Sequence, residues 1–238
     1  MQNLDALLFP RPPFADVPVA PAAHCGVIAS DRDGLGVAVL LIRRDKRAAL
    51  AQRLREHFGI ELPTGAHRTT AGPLALLGTG PGAWLATFER GSNAFAARLR
   101  EAVGELAAVS DQSDGSAVLR LSGANVRDAL IKLVPIDLHP RVFSVGDVAS
   151  TVAGHIAVTL WRLGDQKDES PVFEISMYRS VARCFWEALL DSAAEFGFEK
   201  REFERESTMI SEISRGAPIA VYSDTNLPTI AAIEARSP

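Results

Sequence analysis

The sequence predicts an α+β protein made of two successive mixed units. Three observations carry that reading. Apolar runs of strand length alternate with segments whose apolar residues recur at helical spacing. The first series has the order β-α-β-β-α-β, the split motif of ferredoxin-like units. A second strand–helix series then starts at Ala117, just after an Asp114-Gly115 turn. A chain of 238 residues is long enough to bury a core in one large domain or two small ones.

The elements follow in order. Residues 1–33 are expected to be a Pro-rich extended arm, because Pro10, Pro12, Pro13, Pro18 and Pro21 crowd its first part and favour an extended path. Residues 34–110 form the ferredoxin-like unit. Leu35 to Ile42 is a nearly continuous apolar strand, and Leu50, Leu54 and Phe58 mark a helix over 46–58. Strands near 73–78 and 83–88 flank a Gly-Pro-Gly turn. Phe95, Leu99 and Val103 share one face of a helix over 93–103, and a strand near 106–110 completes the unit. Residues 111–197 form the second unit, opening with the strand Ala117–Leu121. Ser122 is placed to cap a helix carrying Val126, Ala129, Leu130 and Leu133 on one face, and Pro135 ends it. Strands near 148–153, 156–163 and 172–176 come next, then a long helix over 180–196.

That last helix has a narrow polar stripe of Arg179, Arg183, Glu187, Asp191 and Glu195. Its other faces carry Phe185, Trp186, Leu189 and further apolar residues. Such a helix is buried on most sides, more than a two-layer domain readily provides. Part of it, Trp186 included, is therefore expected to meet another subunit. Residues 198–238 form an atypical C-terminal extension, in which EKREFERE (199–206) reads as a solvated helical face and APIAVYS (217–223) as a strand.

Composition excludes several classes. A net charge of −4, from 25 basic against 29 acidic residues, is not that of a nucleic-acid binder. Residues 69–88 are uncharged, but Gly72, Pro73, Gly78, Gly80, Pro81 and Gly82 break them into two short strands around a turn rather than a membrane span. The opening residues lack the basic region of a signal peptide, and Cys25 and Cys184 do not make a disulfide framework. A cytoplasmic chain with neither nucleic-acid nor membrane partners is expected.

No catalytic, cofactor-binding or metal-ligating residue is assigned. The glycines at 78, 80 and 82 do not match the dinucleotide fingerprint. Asp31-Arg32-Asp33-Gly34 is a turn without the closing Glu of a calcium loop. His24, His57, His67, His139 and His155 show no metal spacing, and no nucleophile elbow is present. One stretch stands out, VPIDLHPRVF at 134–143. Asp137 and His139 admit an acid–base pair, since a carboxylate can hold the imidazole tautomer. Alternatively, a rigid extended loop between Pro135 and Pro140 presents Asp137, His139 and Arg141 to a partner. With no nucleophile or cofactor loop nearby, the second reading is the better supported.

DQSDGSAVLRLSGANVRDALIKLVPIDLHPRVF, residues 111–143, resembles the gamma subunit of bacterial heterotetrameric sarcosine oxidase. The similarity continues in ELPTGAHR and LGTGPGAWLATF upstream and in HIAVTLWR and EISMYRSVARCFWEALLDSAAEFG downstream, over roughly residues 34–197. The resemblance implies a fold like the folate-binding domain of aminomethyltransferases. It implies membership of a multisubunit flavoprotein oxidoreductase that acts on CH–NH donors and demethylates sarcosine or a related N-methyl amino acid. It further implies alpha, beta and delta subunits as partners, with FAD, FMN, NAD, tetrahydrofolate and zinc held on those chains and none on this one. A gamma subunit of that kind supports assembly without catalysing. The alternative is a free-standing folate-binding or one-carbon transfer module, for which Asp111, Asp114 or Asp137 could supply a carboxylate.

Overall fold

Strand β2 (Gly36–Ile42) is buried on both faces, with Ala38 and Leu40 enclosed on one side and Val37 on the other. Coverage of both faces is why it reads as an unbroken apolar run instead of an alternation. It also sets the architecture, in which a sheet has helices on one face and a second sheet on the other. The computed structural model describes residues 12–15, 17, 25–89 and 94–203.

The sheet around β2 has five antiparallel strands. After β2 come helix α1 (Arg47–Phe58), strands β3 (Arg68–Ala71), β4 (Leu74–Gly80) and β5 (Ala83–Phe88), helix α2 (Phe95–Val103) and strand β6 (Ala107–Asp111). Their order across the sheet is β3-β4-β5-β2-β6. Apart from the edge strand β3, which the sequence reading lacked, this is the expected ferredoxin-like arrangement. Leu50 and Leu54 of α1 and Phe95, Leu99 and Val103 of α2 bury against Leu40, Leu76 and Trp84 in one core.

The second sheet has six strands in the order β11-β1-β7-β10-β9-β8. Their ranges are β1 (Val27–Asp31), β7 (Ser116–Ser122), β8 (Val148–Ala153), β9 (Ile156–Leu163), β10 (Val172–Tyr178) and β11 (Phe198–Arg201). Helices α3 (Val126–Leu130) and α4 (Ala182–Ala193) cover its outer face around a core of Leu119, Leu121, Leu160, Phe173, Phe185 and Trp186. Leu35, Val37, Leu77, Leu85, Val118, Val148 and Trp161 form a third core between the two sheets. The result is an α+β fold in layers of helix, sheet, sheet and helix.

Several expectations need correction. Val27–Asp31 lies in the stretch expected to be an extended arm, yet it is an inner strand, paired with β7 on one side and with β11 on the other. Residues 198–201, expected to form the solvated start of the extension, are strand β11, which runs parallel to β1 with Phe198 inserted into the core. The rest of that charged run from residue 204, and APIAVYS, lie outside the described residues, as do Pro10, Pro18, Pro21 and His24. Ser122 caps no helix. It ends β7, and Asn125 stands at the start of α3 with its amide donating to Asp128 instead of capping the backbone. The long helix is α4 with short 3-10 turns at Arg179–Val181 and Ala194–Phe196.

The wide apolar surface of α4 is covered from within the chain. The Phe14 ring lies 5.5 Å from that of Trp186, and Phe198 meets Trp186 edge-on at 5.2 Å. The Phe14 carbonyl accepts a hydrogen bond from Lys200 Nζ. A short piece of the arm thus straps α4 to β11. Among the described residues, no helix is long and apolar enough to cross a membrane.

Candidate functional site

The stretch 134–143 lies in the connection between α3 and β8. Val134, Leu138 and Phe143 are buried and anchor it, with the Phe143 ring stacked near Phe173 at 6.4 Å. Between the anchors, Asp137, His139 and Arg141 are all exposed. Asp137 Oδ1 accepts from the His139 backbone N–H at 2.8 Å, and His139 Nδ1 accepts from the Arg141 N–H at 3.2 Å. The His139 carbonyl accepts from both Val142 N and Phe143 N at 2.8 Å.

The Asp137 and His139 side chains therefore each bond the main chain and not one another. The loop is a tight turn closed by side chains, where the sequence predicted an extended segment. An acid–base pair needs the carboxylate on the imidazole, and this geometry does not provide it. What it provides is a fixed frame holding Arg141, to which no carboxylate among the described residues is ion-paired. Trp186 sits elsewhere, wholly enclosed beneath Phe14 and Phe198.

The loop is stitched to the five-stranded sheet where it ends. Arg68 N donates to the Gly146 carbonyl at 2.7 Å, Val148 N donates to Ala66 O at 3.0 Å, and His67 Nδ1 lies 3.3 Å from Asp147 Oδ1. Beyond that seam, the layer between the sheets holds charges. Glu174 Oε1 stands 2.6 Å from Arg32 Nε and 2.8 Å from Arg120 Nη2, while Glu174 Oε2 accepts from Trp161 Nε1 at 3.0 Å. Arg32 also pairs with Glu89. The Phe203 ring lies over both guanidinium groups, 4.0 Å from Arg32 and 4.7 Å from Arg120.

Sequence reasoning missed this cluster because its members come from separate segments. The available signal was Arg120 within AVLRL and Glu174 within VFEIS, single charges on alternate positions of otherwise buried strands.

Two further groups are shifted by their surroundings. Burial lowers the pKa of Arg162 to about 10, with nearby Arg127 acting in the same direction. Burial, then the neighbouring Asp33, pushes the Asp31 carboxyl up to about 6. Asp31 lines a part-open pocket of about 400 Å³ together with Pro12, Ala15, Asp33, Lys200 and Phe203. Among the described residues, no three His, Cys, Asp or Glu side chains gather as a metal site would require.

The model of the sarcosine oxidase gamma subunit family matches residues 44–195. The sarcosine oxidase subunit gamma of Arthrobacter sp is 37% identical over 119 residues, which is 50% of this chain and 58% of that protein. That of Corynebacterium sp. (strain P-1) is 39% identical over 116 residues, 48% of this chain and 57% of that protein. The chain thus spans little more than half the length of these relatives.

Among solved structures, one chain of a heterotetrameric sarcosine oxidase from Corynebacterium sp. U-96, in complex with pyrrole 2-carboxylate, superposes with a TM-score of 0.66 at 28% identity. The match covers 79% of this chain and 96% of that one. The glycine cleavage system aminomethyltransferase T from Bartonella henselae shares the fold, with a TM-score of 0.53 at 13% identity over 74% of this chain and 48% of that one. The aminomethyltransferase-like fold expected from the sequence is the one observed. With the family model running from just after β2 to just past α4, this chain belongs to the sarcosine oxidase gamma subunit family.

Proposed function

We propose that this chain is the non-catalytic gamma subunit of a cytoplasmic, multisubunit flavoprotein that oxidatively demethylates sarcosine or a related N-methyl amino acid. The observation that carries the reading is the match to 96% of one chain of a heterotetrameric sarcosine oxidase. Its partners in this reading are alpha, beta and delta subunits. Those chains hold the FAD, FMN, NAD, tetrahydrofolate and zinc.

Its contribution is a rigid docking surface. Asp137, His139 and Arg141 sit on a loop whose backbone is pinned at both ends, so holding it against a partner orders little further chain. Arg141 offers a planar fork to a carboxylate on a larger subunit. Trp186 serves that surface indirectly, by fixing the strap and α4 in place.

The test is co-purification at native expression level. The chain is expected to come down with larger, yellow subunits, and to be colourless and inactive on sarcosine when isolated. Stoichiometric flavin on the isolated chain overturns the reading. Micromolar binding of tetrahydrofolate by the chain alone replaces it with a free-standing folate-binding module.

A further inference from the structure

Five ionisable side chains meet at the layer between the sheets, the guanidinium groups of Arg32, Arg68 and Arg120 and the carboxylates of Glu174, which is buried, and Glu89, which is half-exposed at its margin. Among the described residues, three cations against two anions leave one positive charge unmatched. The contacts identify which one. Glu174 spends one oxygen on Arg32 and Arg120 and the other on Trp161, and Glu89 is held by Arg32. Phe203 covers Arg32 and Arg120. Arg68 has no carboxylate within ion-pair distance among the described residues, and its Nε is buried without an acceptor. Burial lowers its pKa, with Arg32 and Arg120 adding to the effect while Glu174 and Glu89 oppose it. A part-buried cation in such a setting is stabilised by an oxyanion, and the planar guanidinium fits a carboxylate best.

We propose that Arg68 is the receiving group of a carboxylate-binding site at the margin of the inter-sheet layer. Position supports a role in contact with other molecules. The Arg68 backbone is bonded to Gly146, at the end of the exposed loop that carries Arg141. The carboxylate comes either from a small free molecule or from an acidic side chain of a docked subunit, and the chemistry at Arg68 is the same for both. The site itself does not depend on the proposed role in a complex, because it is measured first on the chain alone.

Thermal unfolding of the full chain is compared in sodium acetate and in sodium chloride at equal ionic strength. Acetate is expected to raise the midpoint, since binding to the folded state alone stabilises it. R68Q should lose that difference, and R68K should keep part of it. Equal wild-type midpoints in the two salts, or an undiminished acetate effect in R68Q, sink the proposal. Should R68Q fail to fold, the side-chain Nε–H resonance of Arg68 is followed in the wild-type protein as acetate is added. Saturable movement supports the site, and a stationary resonance overturns it. Repeating the titration on the assembled complex separates the sources. Loss of the acetate response assigns the site to a neighbour's acidic side chain, and retention assigns it to a free carboxylate.

Discussion

At Gly78, β4 and the chain leading into β3 approach closely. A Cβ there would overlap the Gly65 carbonyl oxygen, and Gly78 N donates to the His67 carbonyl at 3.0 Å. Gly78 and Gly82 therefore do different work. Gly82 has the left-handed backbone of the turn, whereas Gly78 permits contact between two stretches of main chain. G78A is expected to push residues 65–68 off β4 and to cost about 1–3 kcal/mol; an unchanged urea midpoint would contradict that. Asp31 is a second sensitive position. Its folded pKa of about 6 lies above the roughly 3.9 of an unfolded aspartate, so the folded state favours the protonated form. Its stabilising contribution is complete below about pH 4 and is lost as pH rises through about 6. D31N should thus be more stable than the wild type at pH 8, by no more than about 2 kcal/mol after screening, with the gap closing toward pH 4. A gap that widens on acidification would show that burial is not the controlling effect.

Helix α4 is where side-chain pattern and burial agree most closely. Phe185, Trp186 and Leu189 are wholly enclosed, whereas Glu187 is exposed and pairs with Arg183 one turn away. F185A is expected to cost about 3–5 kcal/mol, and E187A about 0.5 kcal/mol or less; equal losses in a denaturant series would reject this orientation. The same logic separates what the sequence revealed from what it hid. Elements with one face on a core announce themselves by period, as α2 does through Phe95, Leu99 and Val103. Strand β11 does not, because only Phe198 of its four residues is buried and its identity rests on pairing with β1 across most of the chain. Strand β1 was concealed by the prolines that precede it. In the 134–143 loop, the prolines marked an irregular connection. Which atom Asp137 would choose was not legible, since a backbone N–H two residues on competes with the imidazole and wins. The charges around Glu174 were invisible for the same reason as β11, in that only the packing of two sheets brings them together.

At the scale of the whole molecule, the proposed docking role makes Arg141 the informative position. R141A should weaken assembly by about 2–5 kcal/mol if its partner charge is left buried, while turnover per flavin in the complex that does form stays unchanged. Intact assembly with a much lower rate per flavin would return Asp137 and His139 to consideration as reacting groups. The parallel pairing of β1 with β11 carries a different consequence, for how the chain comes off the ribosome. Every strand of the five-stranded sheet lies between residues 36 and 111, so that sheet can close while later segments are still being made. Strand β1 finds β7 soon afterwards, but its other edge stays open until Phe198–Arg201 has emerged, and Trp186 lacks Phe198 until then. A nascent chain stalled before Phe198 would expose Val27–Asp31 as a bare strand edge, the feature most prone to recruit another chain. Among the described strands, β11 is therefore the one that replaces that bare edge with a charged one, through Glu199, Lys200 and Arg201.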